Sequence, residues 1–316
     1  MPRIVLITGG YGFIGREVAI QCWHRGDHVV VVDACTYAAR PELLPDLPRI
    51  TKVEGDIREL SHLFGADTIV HCAAETHVCN SIDDAQMFVE TNILGTFHLL
   101  ELIRAKRGYE RPLFLNVSTD EVFGDVPGRD VSTERDHLLP SSPYSASKAA
   151  AELLTMAWAR TYGLRIRTVR PSNCYGPGQY PEKLIPKVIR CLQLGRDIPI
   201  HGDGSQTRSW LHVEDCARAI LAVLDHGQDG DSYNVPGNTA ASVRDIVEAL
   251  VGHYTALTGR PSPSVLSFGQ ERPGGDTRYC VAGKKIAGLG WRTRGAFWDD
   301  LSQILRHELD LGVHVA

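Results

Sequence analysis

Six short apolar runs mark the chain up to Arg170: Ile4 to Thr8, Val29 to Asp33, Ile50 to Glu54, Thr68 to Cys72, Leu113 to Ser118 and Ile166 to Arg170. Helix-length amphipathic stretches lie between most of them. Strand and helix in alternation predict an α/β protein built on a doubly wound parallel sheet of the Rossmann type. The stretches from Phe88 to Arg104 and from Tyr144 to Tyr162 carry apolar residues at spacings of three and four, and both are longer than an α/β layer requires. Burial against the sheet accounts for that pattern, and packing against a second copy is the alternative. After Arg170 the texture changes to loops rich in Pro and Gly, at Pro171 to Pro186, Gly202 to Gly204 and Gly269 to Gly275. Binding loops have this composition, as do ordinary connections.

Size and composition fit this picture. With 316 residues, 43% of them apolar, the chain can fill one large α/β unit and a smaller appended one. Its 33 basic and 38 acidic residues are dispersed, so nothing attracts a nucleic acid or an anionic membrane surface. The eight cysteines stand singly, with no spacing of zinc type, and are expected to be reduced thiols with no metal bound. The N-terminus enters a strand within three residues and no apolar run reaches membrane-spanning length, so a cytoplasmic protein is expected.

The first strand is followed by Thr8-Gly9-Gly10-Tyr11-Gly12-Phe13-Ile14-Gly15 and then by a helical pattern from Arg16. Glycines there permit a tight turn and let a pyrophosphate approach the backbone at a helix N-terminus. A glycine pattern alone is weak evidence, but the strand, the helix and an acidic strand end at Asp33 are all in place. Asp33 lies 18 positions beyond Gly15, where a carboxylate accepts bonds from ribose hydroxyls and repels a 2′-phosphate, so NAD is expected rather than NADP. Asp56-Ile57 and His71-Cys72-Ala73-Ala74 also fall at carboxyl ends of strands, where such sheets bind ligands.

Tyr144 and Lys148 stand four apart at the opening of a helix, hence on one face. A nearby ammonium lowers a phenol's pKa, which would make Tyr144 a usable base near neutrality. Ser118-Thr119 ends the fifth strand, and Asp120-Glu121 follow at once. Two adjacent carboxylates can divide acid and base work if their environments separate their pKa values, or can simply favour a helix N-terminus.

Taken together, Thr8-Gly-Gly-Tyr-Gly-Phe-Ile-Gly15, Ser118-Thr-Asp-Glu-Val-Phe-Gly124, Tyr144-x-x-x-Lys148, Pro181-Glu-Lys-Leu-Ile-Pro186, Arg208-Ser-Trp210 and Arg272-Pro-Gly-Gly-Asp276 span nearly the whole chain. In these motifs and their order the chain resembles the dTDP-glucose 4,6-dehydratase family of extended short-chain dehydrogenases/reductases. The Thr119-Asp120-Glu121 triplet separates that family from the sugar epimerases and decarboxylases that otherwise resemble it.

The resemblance implies a lyase that binds NAD, acts on a nucleotide-diphosphate sugar and forms a homodimer. It implies catalytic roles for Thr119, Asp120, Glu121, Tyr144 and Lys148. The cofactor would be held by Gly9, Gly12, Phe13, Ile14, Gly15, Asp33, Asp56, Ile57, Ala73, Asn92, Ser118, Tyr144 and Lys148, and the substrate by Thr119, Asn173, Glu182, Lys183, Arg208, Asn234 and Arg272. The implied course is oxidation at sugar C4, loss of water across C5 and C6 with Glu121 as base and Asp120 as acid, then return of hydride to C6. Residues 1–172 with about 206–236 would form the NAD-binding unit. Those from about 173–205 with 237–316 would form the nucleotide-sugar-binding unit.

The chain departs from the family where His-Val-Asp becomes His77-Val78-Cys79 and Asn-Asn-Tyr-Gly becomes Asn173-Cys174-Tyr175-Gly176, and in a short segment between Asp33 and Asp56. These changes leave the sugar and the nucleotide base open. A UDP-sugar epimerase or a UDP-glucuronate decarboxylase with the same Tyr-Lys-NAD machinery is the rival reading. A dehydrogenase that releases NADH and a non-catalytic NAD sensor stand further off.

Overall fold

The structure, a computed structural model, describes residues 2–128 and 130–312. Residues 1, 129 and 313–316, which belong to the two units expected from the sequence, lie outside the described residues. The strands are β1 (Ile4–Thr8), β2 (His28–Asp33), β3 (Ile50–Glu54), β4 (Thr68–His71), β5 (Leu113–Val117), β6 (Ile166–Pro171), β7 (Asn173–Tyr175), β8 (Ile198–His201), β9 (Thr207–His212), β10 (Ser232–Val235), β11 (Thr239–Ser242) and β12 (Leu266–Gly269). The helices are α1 (Phe13–His24), α2 (Val78–Asp83), α3 (Gln86–Phe88), α4 (Thr96–Arg104), α5 (Pro143–Tyr162), α6 (Leu184–Leu194), α7 (Val213–His226), α8 (Val243–Thr258), α9 (Lys284–Ala287) and α10 (Phe297–Gly312).

Seven strands form one sheet in the order β10-β6-β5-β4-β1-β2-β3, and every neighbouring pair is parallel. The six strands expected from the apolar runs are all present. The seventh, β10, was not expected, because Ser-Tyr-Asn-Val has no periodic signal of its own and joins β6 only after a long excursion of the chain. From β1 the chain winds outward to β2 and β3, then crosses back to β4 and winds the other way. That reversal opens a crevice at the carboxyl ends of β1 and β4.

Successive strand residues face opposite helical layers. Leu6, Ile69 and Phe114 pack with Leu99, Leu100 and Ile103 of α4, whereas Ile7, Val70 and Leu115 pack with Val18 and Ala19 of α1 and Ile220 and Leu224 of α7. Each such side chain contributes about 1.5–3 kcal/mol when fully buried. Strands covered on both faces are apolar at nearly every position, which is why their pattern is so legible.

The helix expected over Phe88 to Arg104 is interrupted: a π-helical turn, Val89–Gly95, joins α3 to α4. Asn92 in that turn is buried, donating to the Ser147 hydroxyl at 2.8 Å and to the Glu75 carbonyl at 3.0 Å. The start of α5 is fixed by a capping box. Ser142 Oγ accepts from the Ser145 N–H at 3.1 Å while Ser145 Oγ accepts from the Ser142 N–H at 3.0 Å, and Pro143 occupies the first turn. These contacts set Tyr144 in the first turn and Lys148 one turn later.

Beyond β6 a second core gathers Ile185 and Leu192 of α6, Ile246 of α8, Leu301 of α10 and the stacked rings of Trp210 and Phe297. It is flanked by the β11-β9-β7 sheet and the β12-β8 pair.

Candidate active site

The turn after β1 is built from close backbone contacts. Gly9 has φ +68°, and a Cβ there would lie 2.6 Å from the Ala73 nitrogen at the end of β4; a Cβ on Gly15 would lie 2.2 Å from the Gly9 carbonyl oxygen. Only glycine lets the loop, the first turn of α1 and the end of β4 approach this closely. A Cβ on Gly12 would meet only the Gly9 oxygen, at 3.2 Å, and would otherwise project into the cleft. Asp33, at the tip of β2, accepts from the Tyr11 N–H and the Cys35 N–H, both at 2.9 Å. Burial raises its pKa and these two bonds oppose the rise.

One cleft runs from this loop across the carboxyl edge of the sheet. Gly9, Gly12, Phe13, Ile14, Gly15, Asp33, Asp56, Ile57 and Ala73 line it, together with Ser118, Thr119, Asp120, Glu121, Tyr144, Asn173, Glu182 and Lys183. An open backbone cradle at a helix N-terminus, continued by a carboxylate at the end of β2, suits a dinucleotide. The residues present therefore fit NAD.

Five residues singled out from the sequence lie off this wall. Asn92 is buried as described above. Lys148 is buried and donates to the Val117 carbonyl at 2.7 Å. Arg208 lies over the Tyr279 ring, 4.2 Å from its centroid, and donates to the Asp276 carbonyl at 2.9 Å. Asn234 is buried in β10 and donates to the Ser132 carbonyl at 3.2 Å. Arg272 lines a second cavity with Cys79 and His201. The structure thus brings Asn173, Glu182 and Lys183 to the main cleft and leaves Arg208, Asn234 and Arg272 outside its wall.

At the centre of the cleft Thr119 accepts from the Glu121 N–H at 3.3 Å and caps a 3-10 turn over Asp120–Phe123. That turn tucks Asp120 into the protein, where burial, then the charge of Glu121, push its pKa up to about 7. Glu121 is raised as well, mainly by burial, with Arg208, Arg272 and Lys183 pulling it back. Both carboxyls are thus raised above ordinary surface carboxylates, and Asp120 is poised to hold and release a proton near neutrality. Burial also depresses Lys148 to about 8.

The Tyr144 phenol corrects an expectation. Lys148 was expected to lower its pKa, but burial and the charge of Glu121 hold it far above the usual value, opposed by a hydrogen bond with Thr119. The Lys148 ammonium, bound to Val117, does not offset them in the protein alone.

Several cleft residues escaped sequence reading. Glu75 and Thr76 follow a strand end that was noted, so their position could have been followed further. Thr36 sits in a loop with no pattern, and Gln179 and Tyr180 lie in the Pro- and Gly-rich loop noted above, but only the fold brings them to the cleft. Tyr279, from a distant loop, donates to Asp276 at 2.6 Å and lies 3.4 Å from Glu121. Deeper in, His71 is fully buried between the Thr8 hydroxyl at 2.8 Å and the Thr96 hydroxyl at 3.0 Å, and burial lowers its pKa to about 3. Among the described residues no group of three or more His, Cys, Asp or Glu side chains is arranged to hold a metal ion.

Known proteins share this arrangement. The chain is 40% identical to the dTDP-glucose 4,6-dehydratase of Neisseria meningitidis serogroup B, over 98% of this chain and 94% of that one. It is 39% identical to an Arabidopsis thaliana trifunctional enzyme whose name begins with UDP-glucose 4,6-dehydratase, over 96% of this chain and 47% of that longer protein. Among solved structures, the dTDP-glucose 4,6-dehydratase of Streptomyces venezuelae with NAD bound superposes with a TM-score of 0.88 at 37% identity, covering 97% of each chain. The sequence pattern of the NAD dependent epimerase/dehydratase family matches residues 5–236. With the glycine turn, the carboxyl pair and Tyr144 assembled on one cleft of a Rossmann-type sheet, the chain belongs to the NAD dependent epimerase/dehydratase family.

Proposed function

We propose that the chain is an NAD-dependent nucleotide-sugar 4,6-dehydratase that converts dTDP-glucose to dTDP-4-keto-6-deoxyglucose. The observation that carries this reading is the pair of adjacent carboxyls, Asp120 buried and Glu121 partly exposed, on the same cleft wall as Thr119 and Tyr144. Epimerisation at C4 needs no such pair, whereas removing water across C5 and C6 needs one group to take a proton and another to give one.

NAD, when bound, supplies the hydride acceptor and donor. Gly9, Gly12, Phe13, Ile14 and Gly15 would hold its phosphates, Asp33 its adenosine ribose, and Asp56, Ile57, Ala73 and Ser118 the rest of its length, with Asn92 and Lys148 supporting from behind the wall. Tyr144 would take the proton of the C4 hydroxyl in its ionised form, which the protein alone disfavours and the positive nicotinamide of bound NAD would favour, with Thr119 hydrogen-bonded to it and Lys148 fixed one turn along the helix. The resulting ketone acidifies the proton at C5. Glu121 removes that proton while Asp120, in its protonated form, gives one to the departing C6 hydroxyl, so water leaves; the hydride taken from C4 would then return to C6 as a proton returns to C5, giving the 4-keto-6-deoxy sugar. Asn173, Glu182 and Lys183 face the cleft where the substrate would lie. Arg208 and Arg272 act on the site through their charge, which favours the ionised form of Glu121. Asn234 is read as holding the β10 edge.

The same reading divides the chain into an NAD-binding unit, 1–172 with about 206–236, and a substrate-binding unit, about 173–205 with 237–316. It includes a homodimer. Leu94, Phe97, Leu153 and Tyr162 are exposed apolar residues on and beside α4 and α5, and a second copy would cover them. A cytoplasmic location is part of this proposal; no described helix is long and apolar enough to cross a membrane.

The test is incubation of the purified protein with dTDP-glucose, UDP-glucose, UDP-glucuronate and UDP-N-acetylglucosamine, following product mass and nicotinamide absorbance. Loss of one water from a hexose without accumulation of NADH is the expected result, with dTDP-glucose the best substrate. An unchanged mass with a new retention time, or loss of carbon dioxide, would transfer the site to epimerase or decarboxylase chemistry.

A further inference from the structure

Two loops on opposite sides of the cleft touch across its mouth. The loop after β2 places Thr36, Ala38 and Ala39 on one wall, and the loop after β7 places Gln179, Tyr180 and Glu182 on the other. Tyr37, between Thr36 and Ala38, bridges from the first loop to the second. Its hydroxyl donates to Glu182 Oε1 at 3.3 Å, and its ring meets the Tyr180 ring edge to face at 5.6 Å between centroids. A second tie lies beside the first: Lys183 donates to the Thr76 carbonyl at 3.1 Å and to its hydroxyl at 3.2 Å, joining the loop after β7 to the end of β4.

Tyr37 is 47% exposed, so the contact lies at the solvent side of the cleft and not in its core. Neither fold nor core packing requires it. A partly exposed tyrosine held by a carboxylate and a second ring is a clasp between two segments that must part for a long ligand to enter or leave. The chemistry gives such a clasp a use, because an enzyme that returns its hydride to the same sugar has no need to exchange cofactor between turnovers.

We propose that Tyr37, with Glu182 and Tyr180, forms a latch that retains the dinucleotide in the cleft. The latch slows release of the cofactor and keeps the reduced form bound until the hydride is returned. This inference rests on the reading that the cleft holds NAD.

The test measures release directly. The full-length protein is loaded with radiolabelled NAD, chased with excess unlabelled NAD and sampled by rapid desalting. Tyr37→Ala is expected to release label roughly tenfold faster than the wild type, equivalent to about 1.4 kcal/mol. Tyr37→Phe keeps the ring contact but loses the hydroxyl, and is expected to fall between them. Unfolding midpoints equal to that of the wild type show that the exposed substitution leaves the fold intact. Release from Tyr37→Ala at the wild-type rate overturns the latch while leaving the NAD reading standing. A wild type that, stripped of any resident cofactor, still takes up no label overturns both.

Discussion

Lys148 donates its ammonium to the carbonyl oxygen of Val117 at 2.7 Å, tying the second turn of α5 to the last residue of β5, immediately before Ser118 and Thr119. The helix that carries Tyr144 and the strand that carries the hydroxyl and carboxyl groups are therefore held in register by one buried charged bond.

Replacing Lys148 by Met is expected to lower kcat about 10²–10⁴-fold, the span of a lost proton-transfer contribution. Stability is expected to change by about 1–3 kcal/mol, because the Val117 carbonyl loses its partner. Steady-state kinetics beside urea unfolding separates the two effects, and a folded variant with less than a tenfold fall in kcat would remove Lys148 from the chemistry.

Asp120 sets the alkaline side of the pH profile. As the proton donor it must be protonated, so kcat/KM is expected to fall as pH rises through about 7, and Asp120→Asn should abolish that limb along with most of the activity. Stability follows the same group. Well below pH 4, the carboxyl is protonated in folded and unfolded chains alike. As pH rises towards 7 the unfolded chain releases its proton while the folded one keeps it, so the folded state loses up to about 4 kcal/mol. Asp120→Asn should therefore unfold at a higher temperature than the wild type at pH 8, with the gap closing towards pH 4. A gap independent of pH would count against a raised Asp120.

Gly12 and Gly15 should separate binding from folding. A methyl at Gly15 meets the Gly9 oxygen at 2.2 Å, so Gly15→Ala is expected to lower the unfolding midpoint and weaken NAD binding together. At Gly12 the methyl occupies the cleft, so Gly12→Ala is expected to keep its stability within about 1 kcal/mol and raise the Kd for NAD at least roughly tenfold. Calorimetric titration with NAD on both variants tests this, and equal Kd values for Gly12→Ala and wild type would move the phosphates elsewhere.

Glu152 and Arg170 form a fully buried ion pair between α5 and β6, with the Ser232 hydroxyl also donating to Glu152 at 3.3 Å. Removing one partner, as in Arg170→Met, leaves an uncompensated charge and should cost about 3–5 kcal/mol. The double change Arg170→Met with Glu152→Leu should recover most of that loss in urea unfolding. A double variant no better than the single one would mean that the arginine's packing over Phe123, 4.9 Å from the ring centroid, matters more than its charge.

Legibility in the sequence followed burial and continuity. The strands β1, β2, β4, β5 and β6 could be read because both faces are covered, and the glycine turn because its residues are consecutive. Tyr144, Lys148 and the Asp120-Glu121 pair could be read because helical spacing and strand ends place them. What could not be read depends on distant partners. Nothing near Tyr37 signals Glu182, nothing near Glu121 signals Tyr279, and the π turn at Asn92 follows a helical pattern like any other. The Tyr144 phenol was misjudged for a related reason: spacing reveals a neighbouring ammonium but not how deeply both groups are buried.

The seven-stranded sheet is closed by a late arrival. Its outer strand β10 comes from residues that follow β7, β8 and β9, so β6 remains an open edge until the chain has passed through the second core and returned. A fragment ending after Pro171 would contain the whole glycine turn and every group proposed for proton transfer, yet it would expose the Arg170 edge to any passing strand. The dinucleotide half is for that reason not a detachable module, and truncation at the apparent boundary should give aggregates instead of a smaller binding protein.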